Sequence, residues 1–154
     1  MTEPDAAERA RRTKVAAGLL GAALRDMKSA ETLVETRDPD QAFTAAYLVQ
    51  QAAEKITKAL LAHNGLLVTK EHRLAFNLPA LRDDPQAPSL EPFARYDAYA
   101  TSARYPFPNG DLYPPPNIDV LEEHVANLRA LYRSTLTRLG LPDPPARPRT
   151  ERSR

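Results

Sequence analysis

Apolar residues recur along this chain at intervals of three and four positions, the period at which one face of an α-helix repeats. The first such stretch runs from about Asp5 to Glu35. Its apolar face is formed by Ala16, Leu19, Leu20, Ala23, Met27, Ala30 and Val34. Pro39 ends the stretch because proline disfavours helix at the residue before it, and Asp38 is predicted to cap the next helix, with Pro39 at its first position.

The second stretch predicts the strongest helix of the chain, from about Pro39 to Asn64, with Gly65 as a favourable C-terminal stop. One stripe of this helix is expected to face the core: Ala45, Leu48, Val49, Ala52, Ile56, Ala59, Leu60 and His63. The other side carries Tyr47 together with the polar residues Gln50, Gln51, Glu54 and Lys58.

Two shorter helices are predicted next. One runs from about Lys70 to Arg82 with Thr69 as its N-cap, and the other from about Leu90 to Ala103 with Ser89 as its N-cap. A proline-rich stretch, "ARYPFPNGDLYPPP", follows at positions 103–116 and cannot be helical. It holds five prolines, two tyrosines, one phenylalanine and a single arginine, Arg104.

The last helix is predicted from about Ile118 to Leu139, with Asn117 as N-cap and Gly140 as stop. Its apolar residues form a seam suited to packing along a bundle or across a dimer: Ile118, Leu121, Val125, Leu128, Tyr132 and Leu139. No stretch alternates in the manner of a β-strand. The chain is therefore predicted to be all-α, an antiparallel up-and-down bundle of four main helices plus a short one.

Length and composition refine this picture. The 154 residues suit one domain, predicted over 12–140, with a flexible segment at 1–11 and a disordered proline- and arginine-rich tail at 141–154. The net charge of +1 indicates that any nucleic-acid site is a local patch. The absence of cysteine, of a secretion signal and of a long apolar run favours a cytoplasmic protein with no membrane segment.

Candidate chemistry is sparse. The chain has no glycine-rich phosphate loop, zinc-protease motif or nucleophile elbow, so no metal and no cofactor is predicted. Structural roles are favoured for His63, at a helix end, and for His124, expected to be solvated. His72 either fixes the loop before the third helix or faces a ligand.

Arg104 is the strongest candidate for a site. One explanation is a cation at the negative end of a helix dipole. The other is a guanidinium beside Tyr105 and Phe107, which would suit a phosphate and a stacked base while stiff prolines hold the rings in place. The residues alone favour neither explanation over the other.

Two stretches together resemble the HEPN family, the higher-eukaryote-and-prokaryote nucleotide-binding domain. They are "AAYLVQQAAEKITKALLAHNGLLVTKEHRLAFNLPAL" and "YDAYATSARYP". The order and spacing that carry the resemblance belong to Gln50, Gln51, Ala52, Glu54, Lys55, Lys58, Ala59, Gly65, His72, Leu74, Tyr96, Tyr99, Arg104, Tyr105 and Pro106. The similarity spans about residues 12–139.

The resemblance implies a helical bundle that is usually a homodimer and is often encoded with a minimal nucleotidyltransferase in toxin–antitoxin-like pairs. Some members are metal-independent ribonucleases with an Arg-x(4–6)-His motif. Counted from Arg104, the corresponding positions here are Asn109, Gly110 and Asp111, and none is histidine. Ribonuclease activity through that motif is therefore not predicted.

The sequence thus predicts a non-catalytic protein that binds a nucleotide or RNA phosphate and partners a nucleotidyltransferase. Arg104 is expected to contact phosphate and Tyr105 to stack, while the resemblance adds His72, Glu54 and Lys58 as polar residues of the site. One alternative is a divergent ribonuclease toxin using Arg104 with Asp111 or His72. The other is a protein-interaction module that uses the seam and the proline-rich stretch.

Overall fold

The computed structural model of the chain describes residues 2–143 and is helical, with no strand in that range. The predicted tail from residue 144 onward lies outside the described residues. The α-helices are α1 (Ala6–Glu35), α2 (Pro39–His63), α3 (Leu74–Asn77), α4 (Ala87–Leu90), α5 (Asp97–Ala100) and α6 (Ile118–Leu139). Three 3-10 turns lie between them, at Leu78–Leu81, Glu91–Tyr96 and Ser102–Arg104.

The predicted ends of the three long helices are confirmed. Side chains of Asp5, Asp38 and Asn117 accept backbone N–H groups at the starts of α1, α2 and α6, which satisfies donors that have no partner inside a helix. Gly65 and Gly140 follow α2 and α6 in the left-handed conformation, with φ of 68° and 67°. Helix α1 begins at Ala6, so the segment predicted to be flexible is partly helical.

The two shorter helices differ from their predicted form. The third begins at Leu74 rather than near Lys70, and the N-cap predicted at Thr69 is wrong, because that hydroxyl donates instead to Asn77. Ser89 lies inside α4 rather than before it, so its predicted capping role is also wrong. Residues 87–104, called here the segmented helix, alternate α and 3-10 winding, and Pro88 and Pro92 each sit in the first turn of one segment.

Polar contacts at both ends of the bundle establish its topology. At one end, Arg37 in the α1–α2 turn pairs with Asp119 and Glu122 at the start of α6. At the other end, Asp84 accepts from both Arg138 at the end of α6 and Asn64 at the end of α2. Helices α2 and α6 therefore run parallel, while α1 and the segmented helix run opposite, which is the predicted up-and-down arrangement.

Helix α2 lies at the centre and is buried on nearly every side. The seam of α6 packs inside the same chain, where Leu121, Val125, Leu128 and Tyr132 are buried. Thr135, which interrupts the seam, is fully buried, donates to the Leu131 carbonyl and accepts from Gln86. The seam is thus core. Within residues 2–143, no helix is long and apolar enough to cross a membrane.

Candidate phosphate-binding cavity

The proline-rich loop, residues 105–116, folds back on itself. The Phe107 amide donates to the Asp111 carbonyl at 2.8 Å, and the Gly110 amide donates to the Phe107 carbonyl at 2.8 Å. Gly110 has φ of 89°, a conformation that glycine adopts without strain. The Asn109 side chain donates to the Asp111 carboxylate at 2.9 Å. Residues 107–111 of the loop therefore form a closed turn.

A cavity of about 550 Å³ separates this loop from the first half of α2. It is called here the aromatic cavity because half of its lining residues are aromatic. The lining consists of Phe43, Thr44, Tyr47, Tyr99, Ala103, Arg104, Tyr105, Pro106, Leu112 and Tyr113. Its volume lies within the usual range of about 300–1,000 Å³ for small-molecule sites. Within the described part of the chain, Arg104 is the only charged residue of this lining.

The guanidinium of Arg104 lies over the ring of Tyr47, with Cζ 4.9 Å from the ring centroid. Such a contact at an exposed site contributes about 0.5–1 kcal/mol, and it leaves the N–H edge of the guanidinium open to a second partner. Within residues 2–143 Arg104 makes no salt bridge and no side-chain hydrogen bond. The sequence predicted Tyr105 and Phe107 beside this arginine, and the ring beneath it is instead Tyr47 of α2.

The other rings divide into paired and unpaired ones. Phe107 stacks on Tyr113, with centroids 4.1 Å apart and planes at 18°. Phe43 contacts Tyr99 at 6.2 Å between centroids. Tyr105 is 69% exposed and has no ring partner among the described residues. Its face is therefore available for stacking at the mouth of the cavity.

A second group of polar side chains contains the predicted residues Glu54, Lys58 and His72. It is called here the polar cluster and also includes Gln50 and Asp97. Glu54 Oε1 lies 2.9 Å from Lys58 Nζ and 3.0 Å from His72 Nδ1. A carboxylate accepts only, so Nδ1 of His72 carries the proton and Nε2 faces outward as an acceptor when the ring is neutral. The Glu54 side chain is 6% exposed and that of His72 is 70% exposed.

Asp97 and Gln50 join this cluster to the neighbouring elements. The Asp97 carboxylate accepts from the backbone amides of Leu74 and Ala75, at 2.9 and 3.1 Å, and so caps α3 from the segmented helix. Gln50 donates to Asp97 at 3.1 Å and to the His72 carbonyl at 2.8 Å. Asp97 was missed by the sequence reasoning, because a cap supplied from a distant segment leaves no local pattern.

The predicted site residues therefore form two neighbouring groups. Arg104 and Tyr105 line the aromatic cavity, whereas Glu54, Lys58 and His72 do not. Tyr47 and Glu54 lie on the same side of α2, two turns and about 10 Å apart along the axis. The missed residue Tyr47 shares the three- and four-residue spacing of Gln51, Glu54 and Lys58, which is the signal that could have found it.

The remaining candidates take structural positions. His124 was expected to be solvated, and this is wrong: it bonds the Tyr96 hydroxyl and packs edge-on against Phe93. Burial lowers the pKa of His124 and of His63 and, aided by a nearby arginine in each case, favours the neutral ring. Asp111 is held by Asn109 and is not part of the cavity lining.

Fold and site together define an all-α bundle with an arginine-containing aromatic cavity. The family model of the HEPN domain matches residues 16–134. This chain belongs to the HEPN domain family, and the family supports a nucleotide- or RNA-related role in general. No curated protein and no solved structure matches the chain significantly. Among the described residues, no group of three or more His, Asp or Glu side chains could hold a metal ion.

Proposed function

We propose that the aromatic cavity binds a nucleotide or an RNA phosphate, with Arg104 on the phosphate and Tyr105 stacked on the base. The observation that supports this most is the guanidinium held by its face on Tyr47, with no ion pair within residues 2–143. A guanidinium in this position presents two parallel N–H donors to a phosphate. The exposed ring of Tyr105 offers the π-face that any base can use.

The polar cluster has a supporting part in this proposal. Glu54, itself paired with Lys58, holds the imidazole of His72 in one orientation, and His72 contacts the polar part of a ligand that extends along α2. Its exposed side chain and its contact with a nearly buried carboxylate support that role.

The proposed role is non-catalytic. Metal-independent RNA cleavage needs a group that moves the 2′-hydroxyl proton near the phosphate. Arg104 has no histidine at the family spacing, and Asp111 is engaged by Asn109 in the loop. The protein would then act as a homodimer and as the partner of a minimal nucleotidyltransferase in a toxin–antitoxin-like pair.

Thermal-shift titrations with ATP, GTP and a short RNA test the binding proposal on wild type, Arg104→Ala and Arg25→Ala. Arg25 is an exposed arginine of α1 outside the cavity, so its variant controls for the loss of one positive charge. We expect a ligand-dependent shift in wild type and Arg25→Ala that Arg104→Ala loses. Equal shifts in all three proteins would contradict a phosphate site at Arg104.

The same proteins incubated with RNA in EDTA test the enzymatic alternative. Cleavage by wild type and Arg25→Ala that Arg104→Ala lacks would favour a ribonuclease. Light scattering at twice the 17.1 kDa chain mass would support the homodimer. Co-purification with a co-encoded nucleotidyltransferase would support the pairing, and a monomer that captures no such enzyme would contradict both partner proposals.

A further inference from the structure

We infer that the aromatic cavity recognises one nucleoside monophosphate unit, one base with one phosphate, and gains no affinity from the further phosphates of a nucleoside triphosphate. This inference rests on the proposed function, and it specifies which ligand chemistry the cavity accommodates. The unit has two possible sources, a free mononucleotide or a nucleotide within a single strand. Three features of the cavity carry the inference: its charge, its backbone donors and its available rings.

The charge of the lining matches one phosphate. Among residues 2–143, Arg104 is the only cationic side chain in the wall, and none of those residues contributes a carboxylate to the lining. A triphosphate is usually bound with Mg²⁺ held by one or two carboxylates, or by several cations. The nearest acid of the loop, Asp111, is bonded to Asn109 and lies outside the lining. The β- and γ-phosphates of a triphosphate would therefore have no counter-charge in the wall.

Backbone N–H donors do not supply the contacts that the β- and γ-phosphates of a triphosphate would need. A phosphate-binding loop needs successive free N–H groups, usually in a glycine-rich turn or at a helix N-terminus. Here the amides of Phe107, Gly110 and Asp111 are used within the loop, and the N-terminus of α2 is capped by Asp38. Of the loop residues in the lining, only Leu112 and Tyr113 have backbone N–H groups without a hydrogen bond among residues 2–143, a single pair rather than a run of donors. The guanidinium of Arg104, stacked on Tyr47, presents its edge to the oxygens of a single phosphate.

Ring availability matches one base. Tyr47 has Arg104 on its face, Tyr113 has Phe107, and Phe43 and Tyr99 contact each other. Tyr105 remains, 69% exposed at the mouth of the cavity. A base stacked on Tyr105 would have its phosphate next to the adjacent residue, Arg104. Within residues 2–143, Tyr105 is the ring of the wall without a ring or cation partner and Arg104 is its cation without an ion pair, which together form the minimal recognition unit for a nucleoside monophosphate.

Calorimetric titration of the full chain with adenosine, AMP, ATP in EDTA, ATP with Mg²⁺ and an unphosphorylated pentaadenylate tests the inference. We expect AMP to bind at least about tenfold more tightly than adenosine, and ATP to stay within about threefold of AMP with or without Mg²⁺. Arg104→Ala should bring AMP to the affinity of adenosine, and Tyr105→Leu should weaken both. Arg25→Ala should leave all affinities unchanged.

The outcomes separate this inference from the proposed function. ATP binding more than about threefold tighter than AMP would overturn the monophosphate unit while leaving a phosphate site at Arg104 in place. No binding by any ligand would overturn both. Arg104-dependent pentaadenylate binding tighter than AMP would support the unit and identify a strand as its source, and equal affinities would support a free mononucleotide. An affinity for pentaadenylate that is the same in wild type and Arg104→Ala would overturn the inference.

Discussion

The ion pair between Glu54 and Lys58 lies almost out of contact with water, with side chains 6% and 10% exposed. A charge in that position is stable only while its partner is present, because neither group can recover the hydration that folding removed. The third member, His72, lies at the surface and bonds the same carboxylate oxygen. Single residues of the polar cluster therefore differ in what their loss does to stability.

Glu54→Ala is expected to lower the free energy of unfolding by about 3–5 kcal/mol, because it leaves Lys58 charged, buried and unpaired. The double variant Glu54→Leu with Lys58→Met should lose much less. Urea denaturation of the single and double variants measures both effects. In the matched control, Glu71→Ala removes the solvent-accessible pair with Arg73 and should lower the stability far less than Glu54→Ala does. A double variant as unstable as Glu54→Ala would contradict the explanation.

The pair of Tyr96 and His124 predicts a pH dependence. Burial, with help from Arg95, lowers the pKa of His124, so the folded state favours the neutral ring while the unfolded state binds a proton near its ordinary pKa. The stabilising contribution of His124 is complete above about pH 6.5 and is lost as the pH falls through the lowered value. Burial also raises the pKa of Tyr96 to about 12, so its hydroxyl stays protonated over this range.

His124→Gln keeps a hydrogen-bonding group but cannot titrate. Between pH 7.5 and pH 5, the wild type should therefore lose more stability than this variant, measured as the shift in the urea midpoint. His63 and the carboxylates titrate equally in both proteins and cancel from the difference. Identical losses in the two proteins would show that the imidazole is equally hydrated in the folded and unfolded states.

At the scale of elements, helix ends depend on contacts between neighbouring segments. Gly65 ends α2 with φ of 68°, and a Cβ built there would clash with Cζ of Arg12. The guanidinium of Arg12 thus lies against the end of α2, where the carbonyl groups favour a cation. Gly18 lies within α1, with no atom within 4 Å of a Cβ built at that position.

Alanine at these two glycines should act in opposite directions. Gly65→Ala is expected to destabilise the protein by about 1–2 kcal/mol, because the left-handed backbone disfavours a Cβ and the Arg12 guanidinium would also have to move away. Gly18→Ala should stabilise it by roughly 0.5–1 kcal/mol, because alanine has the higher helix propensity and meets no neighbour. Thermal unfolding of both variants compares them directly. A Gly65→Ala protein as stable as the wild type would contradict the need for a left-handed residue at the end of α2.

The cap of α3 is also supplied by a distant segment. Asp97→Ala should remove the acceptor of the backbone N–H groups of Leu74 and Ala75 and one acceptor of the Gln50 side-chain amide. Each donor that stays buried without a partner should lower the free energy of unfolding by about 1–3 kcal/mol. Hydrogen exchange should therefore accelerate at α3 well before it does in α1. Protection that falls equally in both helices would contradict a local role for this carboxylate.

For the whole molecule, the seam of α6 is part of one folded chain. Leu128 is fully buried against the core, so Leu128→Ala is expected to cost about 2–5 kcal/mol through lost burial and the cavity left behind. The loss should be independent of protein concentration. Unfolding midpoints measured over a hundredfold range of concentration check this, and a midpoint shift that grows on dilution would indicate an interface instead.

Most of the fold could be predicted because the signals for each long helix lie within its own sequence. These signals are the residues that mark its beginning and its end and the apolar face between them. Asp38 before Pro39, Asn117 and Gly140 are local features, and the structure has them in those roles. The winding of residues 87–104 and the cap from Asp97 were not predictable, because both depend on packing between segments. Arg104 and Tyr105 could be selected from the proline-rich stretch, but the ring of Tyr47 beneath the guanidinium becomes its neighbour only through the fold.

The contacts at the two ends of the bundle have a practical consequence. Arg12 near the start of α1 lies against Gly65, and Arg138 near the end of α6 reaches Asp84 beside Asn64. The outer ends of the first and last helices therefore emerge on the same side of the molecule, while Tyr47 lies about 25 Å away along α2. A fluorescent reporter or an immobilising surface attached at the start of α1 or at the end of α6 would therefore leave the mouth of the cavity open to solvent.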